Sequence, residues 1–221
     1  MIARQLISPT FPSLICTDKG QKALNIMDSF RVNHIPLVRD KEYIGLISDH
    51  EIYDFDLMQC CFGERSLSLI SPYIIENQHI FEAIQIMLEL KLTVLPVLDL
   101  NHEYLGVILI SELANSFLNL AGAGEPGAVI ILELSPNNYS LSQIAQIVEA
   151  NDAKILSLYT KNQEDSMELD VTLKVNVTDA SSIIETFVRY DYSIKAVYMD
   201  NSKRNNMFTE RYEQFMRFIN I

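Results

Sequence analysis

The first 122 residues are two copies of one pattern, and an internal repeat constrains architecture before any single element is assigned. Ile15, Ala23, Ile26, Met27 and Pro36 recur 60 residues later as Ile75, Ala83, Ile86, Met87 and Pro96. After one inserted residue, Tyr43, Gly45, Ile47 and Glu51 recur 61 residues later as Tyr104, Gly106, Ile108 and Glu112. A chain built this way is expected to fold as two equivalent units.

Periodicity reads the same way in each copy. A short apolar segment (Leu14 with Ile15, then Ile74 with Ile75) precedes a helix with apolar residues at helical intervals: Ala23, Ile26, Met27 and Phe30, then Ala83, Ile86, Met87 and Leu90. Two strands follow. In copy one they are residues 34–38 and 43–47, joined by the polar turn Arg39, Asp40, Lys41, Glu42; in copy two they are residues 94–98 and 104–108. A second helix closes each copy, beginning near Ser48 and near Ser111. Met27 and Met87 sit at equivalent positions and read as core filler.

Residues 122–127 carry three of the seven glycines and one proline, which marks a domain boundary. Beyond it the pattern changes. Residues 128–134 read as a strand, 140–150 as a helix with Leu141, Ile144, Ala145 and Val148 on one face, and 155–159 as a strand. Alternation at Leu169, Val171, Leu173, Val175 and Val177 predicts a strand with one wet face. A helix over 180–190 and a strand over 193–199 complete a βαββαβ unit. In the tail, Thr209 is a candidate cap for a short amphipathic helix carrying Phe208, Tyr212, Phe215 and Phe218.

Charge and motifs narrow the function. The 17 basic and 29 acidic side chains give a net −12, a field that repels nucleic acid and anionic membrane surfaces. A small phosphate-bearing ligand stays open, because local amides and one or two cations hold it. No run of 18 apolar residues occurs and the N-terminus lacks the apolar core of a secretory signal, so a cytoplasmic location is expected. Cys16, Cys60 and Cys61 have no metal or redox spacing and read as buried structural thiols. His50, His79 and His102 are scattered without metal-ligand spacing. No hydrolase, Walker, zinc-protease or dinucleotide motif occurs, so no catalytic residue, metal or cofactor is expected.

The order strand, helix, strand, strand, helix, with a hydrophobic-Pro-hydrophobic strand followed by a Tyr-hydrophobic-Gly strand, resembles the CBS motif. Two copies in register (about 1–61 and 62–122) resemble a CBS pair. After a linker at 123–127, the βαββαβ unit at 128–200 resembles an ACT domain, ahead of a tail at 201–221. The fold class implied is α+β: a tandem CBS pair plus a ferredoxin-like ACT-type domain. The combination is similar to the small CBS-ACT proteins grouped with acetoin-utilisation regulators. ACT domains that bind amino acids keep a Gly in the first strand-to-helix loop, whereas residues 135–140 here contain none.

The resemblance also implies a ligand site. Nucleotide-binding CBS pairs carry Gly-hydrophobic-hydrophobic-Ser/Thr-x-x-Asp, in which the hydroxyl and nearby helix amides meet a phosphate and the carboxylate accepts the ribose hydroxyls. In copy one, Ser48 stands at the hydroxyl position and Glu51, a Glu for the usual Asp, at the carboxylate position. Copy two has Leu109 in place of the hydroxyl and Glu112 as its carboxylate. An adenine base would lie between Ile15 and Ile35 in copy one, and His34 falls near a basic position of adenylate-binding relatives. Two alternatives need no ligand: Ser48-x-x-Glu51 is also a capping box, and His34 also reads as a satisfied strand-end histidine.

A non-enzymatic homodimeric regulator is therefore expected, sensing an adenine nucleotide or S-adenosylmethionine and transmitting the change through domain or dimer packing. The alternatives are a ligand-free oligomerisation scaffold and amino-acid sensing at the ACT-like domain.

Overall fold

A computed structural model describes residues 1–64, 69–163 and 168–199. The tail helix expected around Thr209 lies outside the described residues. The chain divides into two compact units, Met1–Phe117 and Leu118–Ile221, so the division falls inside a helix, ahead of residues 122–127.

In the first unit, repeat one comprises α1 (Gly20–Phe30), the antiparallel pair β1 (His34–Arg39) and β2 (Glu42–Ser48), and the short α2 (Asp49–Asp54). Repeat two comprises β3 (Ile74–Ile75), α3 (Ile80–Glu89), β4 (Val94–Leu98), β5 (Tyr104–Leu109) and α4 (Ile110–Leu120). Strand β3 lies parallel to β4, while its counterpart in repeat one shrinks to a single parallel bridge from Leu14 to Leu37. The turn joining β1 to β2 is tighter than the polar tetrapeptide suggested. Arg39 and Glu42 stay in the ladder and form a 2.7 Å ion pair, so only Asp40 and Lys41 turn, with Asp40 at φ 56°.

The strands are nearly continuous apolar runs because both of their faces are buried. One core joins Leu14, Ile35, Ile47 and Ile52 of repeat one to Val94, Val107 and Leu109 of repeat two. The other joins Leu46 to Ile74, Ile80, Leu95 and Ile108. Leu46 and Ile47, like Val107 and Ile108, point to opposite faces and serve different cores.

Each repeat also holds down a strap from the other. The N-terminal segment crosses to repeat two, where Ala3 N donates to Gln78 O (2.9 Å) and Ser8 N to Val107 O (2.8 Å). The inter-repeat segment crosses repeat one, where Leu46 N donates to Ile70 O (2.9 Å). The repeated glycines lie beneath these straps. A Cβ on Gly106, at φ 153°, would stand 2.5 Å from Ile7 Cγ2, and one on Gly45 would stand 2.6 Å from Leu69 Cβ.

Cys16, Cys60 and Cys61 are unbridged and partly exposed, where buried thiols were expected. Their segments run alongside each other near the surface, with Gly63 N donating to Cys16 O and Cys61 bridging to Lys19.

The second unit has β6 (Val129–Leu134), α5 (Leu141–Glu149), β7 (Ile155–Asn162), β8 (Leu169–Val175), α6 (Ser181–Arg189) and β9 (Ser193–Tyr198). The antiparallel sheet order β7-β8-β6-β9 is that of a ferredoxin-like βαββαβ fold. Its core lies on one face, where Ile130, Leu132, Val171 and Leu173 meet Ile144, Val148, Ile183 and Phe187 of the two helices. Helix α5 begins at the Ser140 cap, whose hydroxyl accepts from Gln143 N.

Candidate ligand site at the first repeat

The β1–β2 register sets His34 opposite Ser48 and Ile35 opposite Ile47. Ser48 is the last residue of β2 and the N-cap of α2, with extended backbone (φ −95°, ψ 159°). Its side chain is held by Glu51 in a reciprocal box. Ser48 N and Oγ both donate to Glu51 Oε2 (2.7 and 2.8 Å), and Glu51 N donates back to Ser48 Oγ (3.2 Å). The other amides of the first turn are engaged as well: Asp49 N donates to Asn33 O (3.1 Å) and His50 N to the Asp49 carboxylate (2.8 Å). Glu51 Oε1 accepts no hydrogen bond among the described residues.

His34 is partly buried and turned toward repeat two. Its Nδ1 lies 3.0 Å from Thr93 Oγ1 and 3.4 Å from Thr93 N, and Asn33 N donates to the same hydroxyl at 3.0 Å. Burial pulls the His34 pKa below its usual 6.5, outweighing the nearby Asp49 and Glu51 carboxylates; His50 adds to the lowering.

The structure thus brings together His34, Ser48 and Glu51. Ile35 is fully buried in the core shared by the repeats and shows no side-chain surface to a ligand. Ile15 is half-exposed, but it follows Leu14, whose bridge partner Leu37 lies three residues beyond His34, a strand rise of about 10 Å. The Ile15 amide is occupied by the Asp18 carboxylate at 3.0 Å.

Copy two keeps the backbone and changes the side chains. Ile110 N donates to Thr93 O at 3.1 Å, as Asp49 N does to Asn33 O, and α4 begins one residue ahead of Ser111. Leu109 takes the place of Ser48 and is only 7% exposed, packed in the core with repeat-one residues. Glu112 projects into solvent.

Sequence reading overlooked Asn33 and Thr93. They sit 60 residues apart at equivalent positions, each a polar residue just before an apolar strand, and that repeat was the available signal. A groove of about 630 Å³ also opens in repeat one, lined among others by Leu24, Asp28, Arg31, Asn33, Asp49 and Tyr53. His34, Ser48 and Glu51 do not line it. Among the described residues, no group of three or more His, Cys, Asp or Glu is placed to hold a metal, and no helix is long and apolar enough to cross a membrane.

Residues 3–57 and 71–119 match the sequence profile of the CBS domain. The first unit carries a tandem CBS domain pair. Three solved structures illustrate the likeness. A CBS domain pair/ACT domain protein from Thermotoga maritima is 20% identical, with 54% of this chain and 98% of that chain covered and a TM-score of 0.46. CBSX2 in complex with AMP is 20% identical, covering 53% and 96%, with a TM-score of 0.44. The CBS domain of a bacterial CNNM/CorC family Mg2+ transporter in complex with ATP is 14% identical, covering 53% and 87%, with a TM-score of 0.42. In the CBS pair of this chain, the polar candidate residues gather at repeat one, and the equivalent helix start of repeat two is filled by core.

Proposed function

We propose that this protein is a non-catalytic cytoplasmic regulator whose CBS pair binds an adenosine-type nucleotide at repeat one, and that the second unit is an ACT-type domain which reads the change. The observation that carries the reading is the triad of His34, Ser48 and Glu51 at the start of α2. Glu51 Oε1 is open to a ribose hydroxyl, and Ser48 Oγ can exchange its bond to Glu51 for one to a phosphate oxygen. Such an exchange disturbs a cap worth about 1 kcal/mol, within reach of a nucleotide that binds in the micromolar range, about −8 kcal/mol. The βαββαβ topology of the second unit supports the ACT-type assignment.

Two features support a second reading, a ligand-free oligomerisation scaffold. Ser48 and Glu51 Oε2 bond each other without a ligand, and Leu109 closes the equivalent position of repeat two.

The deciding experiment is a melting-temperature titration with AMP, ADP, ATP, S-adenosylmethionine and NAD, since a ligand that binds only the folded state raises stability by mass action. A saturable rise with one adenine compound, lost in Glu51→Ala, is the expected result. No rise at millimolar concentration moves the weight to the scaffold, or to an amino acid at the second unit.

A further inference from the structure

At the starts of β1 and β4 the two repeats are joined by three hydrogen bonds that share Thr93. Two of the three donors can be assigned by elimination, and the third follows from them. Asn33 N can only donate, so Thr93 Oγ1 accepts from it; a hydroxyl has a second lone pair as well as its proton, so its contact with His34 Nδ1 takes its direction from the ring. Thr93 N can only donate, and it too faces His34 Nδ1. The Thr93 amide proton therefore meets a bare lone pair at Nδ1, which leaves the Thr93 hydroxyl to donate to the same nitrogen. A neutral imidazole with an accepting Nδ1 carries its proton on Nε2.

We propose that Thr93 of the second repeat is a positioning residue that holds His34 as the neutral Nε2–H tautomer, and that the contact is a latch between the repeats which a second proton on His34 loosens by breaking the Thr93 amide bond. The added proton comes from solvent and occupies the Nδ1 lone pair, where it breaks the bond from the Thr93 amide; the Thr93 hydroxyl can turn to accept from Nδ1–H, and its bond from Asn33 N stays. Among the described residues Nε2–H has no hydrogen-bond partner, at the position His34 shares with Ser48 across the β1–β2 ladder.

The surroundings set the balance. Burial opposes the second proton, as does His50, while Asp49 and Glu51 favour it. On the β4 side Thr93 and Val94 do not titrate. An anion placed beside His34 would favour the imidazolium and so act on the same latch as the proton. That last step rests on the nucleotide reading above; the tautomer and the latch do not.

The test is nitrogen-15 NMR of the full chain labelled at histidine, with the His34 signals assigned through His34→Gln. At pH 7.5 the wild type should show a protonated Nε2 and an unprotonated Nδ1. Thr93→Val keeps the backbone amide and removes the hydroxyl, so Nε2 should stay the protonated nitrogen while the apparent His34 pKa rises as the neutral ring loses one donor, and Thr93→Ser should restore the wild-type value. A protonated Nδ1 in the wild type overturns the proposal, even if the valine variant does not fold, and so does a valine variant with an unchanged His34 pKa. No nucleotide is present, so this experiment can fail while the melting titration succeeds, and the reverse.

Discussion

The two CBS repeats start their closing helices on the same backbone and part company at the capping position. Both closing helices start with an amide bonded to the carbonyl of the residue before the facing strand, Asp49 to Asn33 and Ile110 to Thr93, each at 3.1 Å. In repeat one the capping residue is Ser48, which answers to Glu51; in repeat two it is Leu109, which answers to the core. The same position in the same fold is a polar corner in one copy and a packing anchor in the other. A repeat conserves its geometry through backbone bonds and glycines, and spends its side chains on different tasks.

The comparison can be broken most forcefully at Leu109. Truncating a buried leucine costs about 2–5 kcal/mol, so Leu109→Ala should lower stability to that degree in denaturant unfolding. Leu109→Ser tests the same point from the other side: it should be at least as unstable, and any new nucleotide-induced stabilisation would mean that the hydroxyl alone separates the two corners.

Next in size is the pair of strap glycines. Gly106→Ala forces a side chain into a positive-φ position and against Ile7, each a strain of about 1–3 kcal/mol. Gly45→Ala meets Leu69 Cβ and, at 3.0 Å, Ile70 O, atoms tied to the backbone of the strap, so its loss should be comparable even though its backbone is unstrained. A marked difference between the two melting temperatures would show that one strap holds far more tightly than the other.

Ser48→Ala removes a cap and should cost about 1 kcal/mol in repeat one, with no counterpart to remove in repeat two. If the nucleotide reading is right, the same substitution also weakens the ligand-induced rise in melting temperature.

The smallest effect is that of pH. His34 has a folded pKa below its unfolded 6.5, so between the two values the unfolded chain binds more protons. Stability should therefore be full above about 6.5 and fall as pH drops toward the folded value. His34→Gln should remove that part of the slope, measured by thermal melts between pH 7.5 and 5.5.

Much of the fold was legible in the chain. The 60- and 61-residue offsets placed α1 with α3, β1 with β4 and β2 with β5, because apolar spacing reports which faces need burial. The alternation from Leu169 to Val175 announced a strand with one covered face, and the sheet buries those residues. Ser48 and Glu51 were legible as a pair because a capping box acts over three residues.

What sequence could not supply was contact between parts of the chain far apart in number. That Ile15 lies at the far end of β1 from His34 depends on a parallel bridge, and that Ile35 is closed off depends on Val94 and Val107 across the pair. Thr93 reaches His34 only because two strand starts, about 60 residues apart in the chain, meet where the repeats pack. The sequence by itself determined the two repeats, the βαββαβ unit, the polar corner at Ser48 and the leucine that replaces it, all through short-range periodicity and spacing. Tertiary structure alone decided which of those residues share a site, because burial and hydrogen-bond geometry are set by the partners the fold brings together.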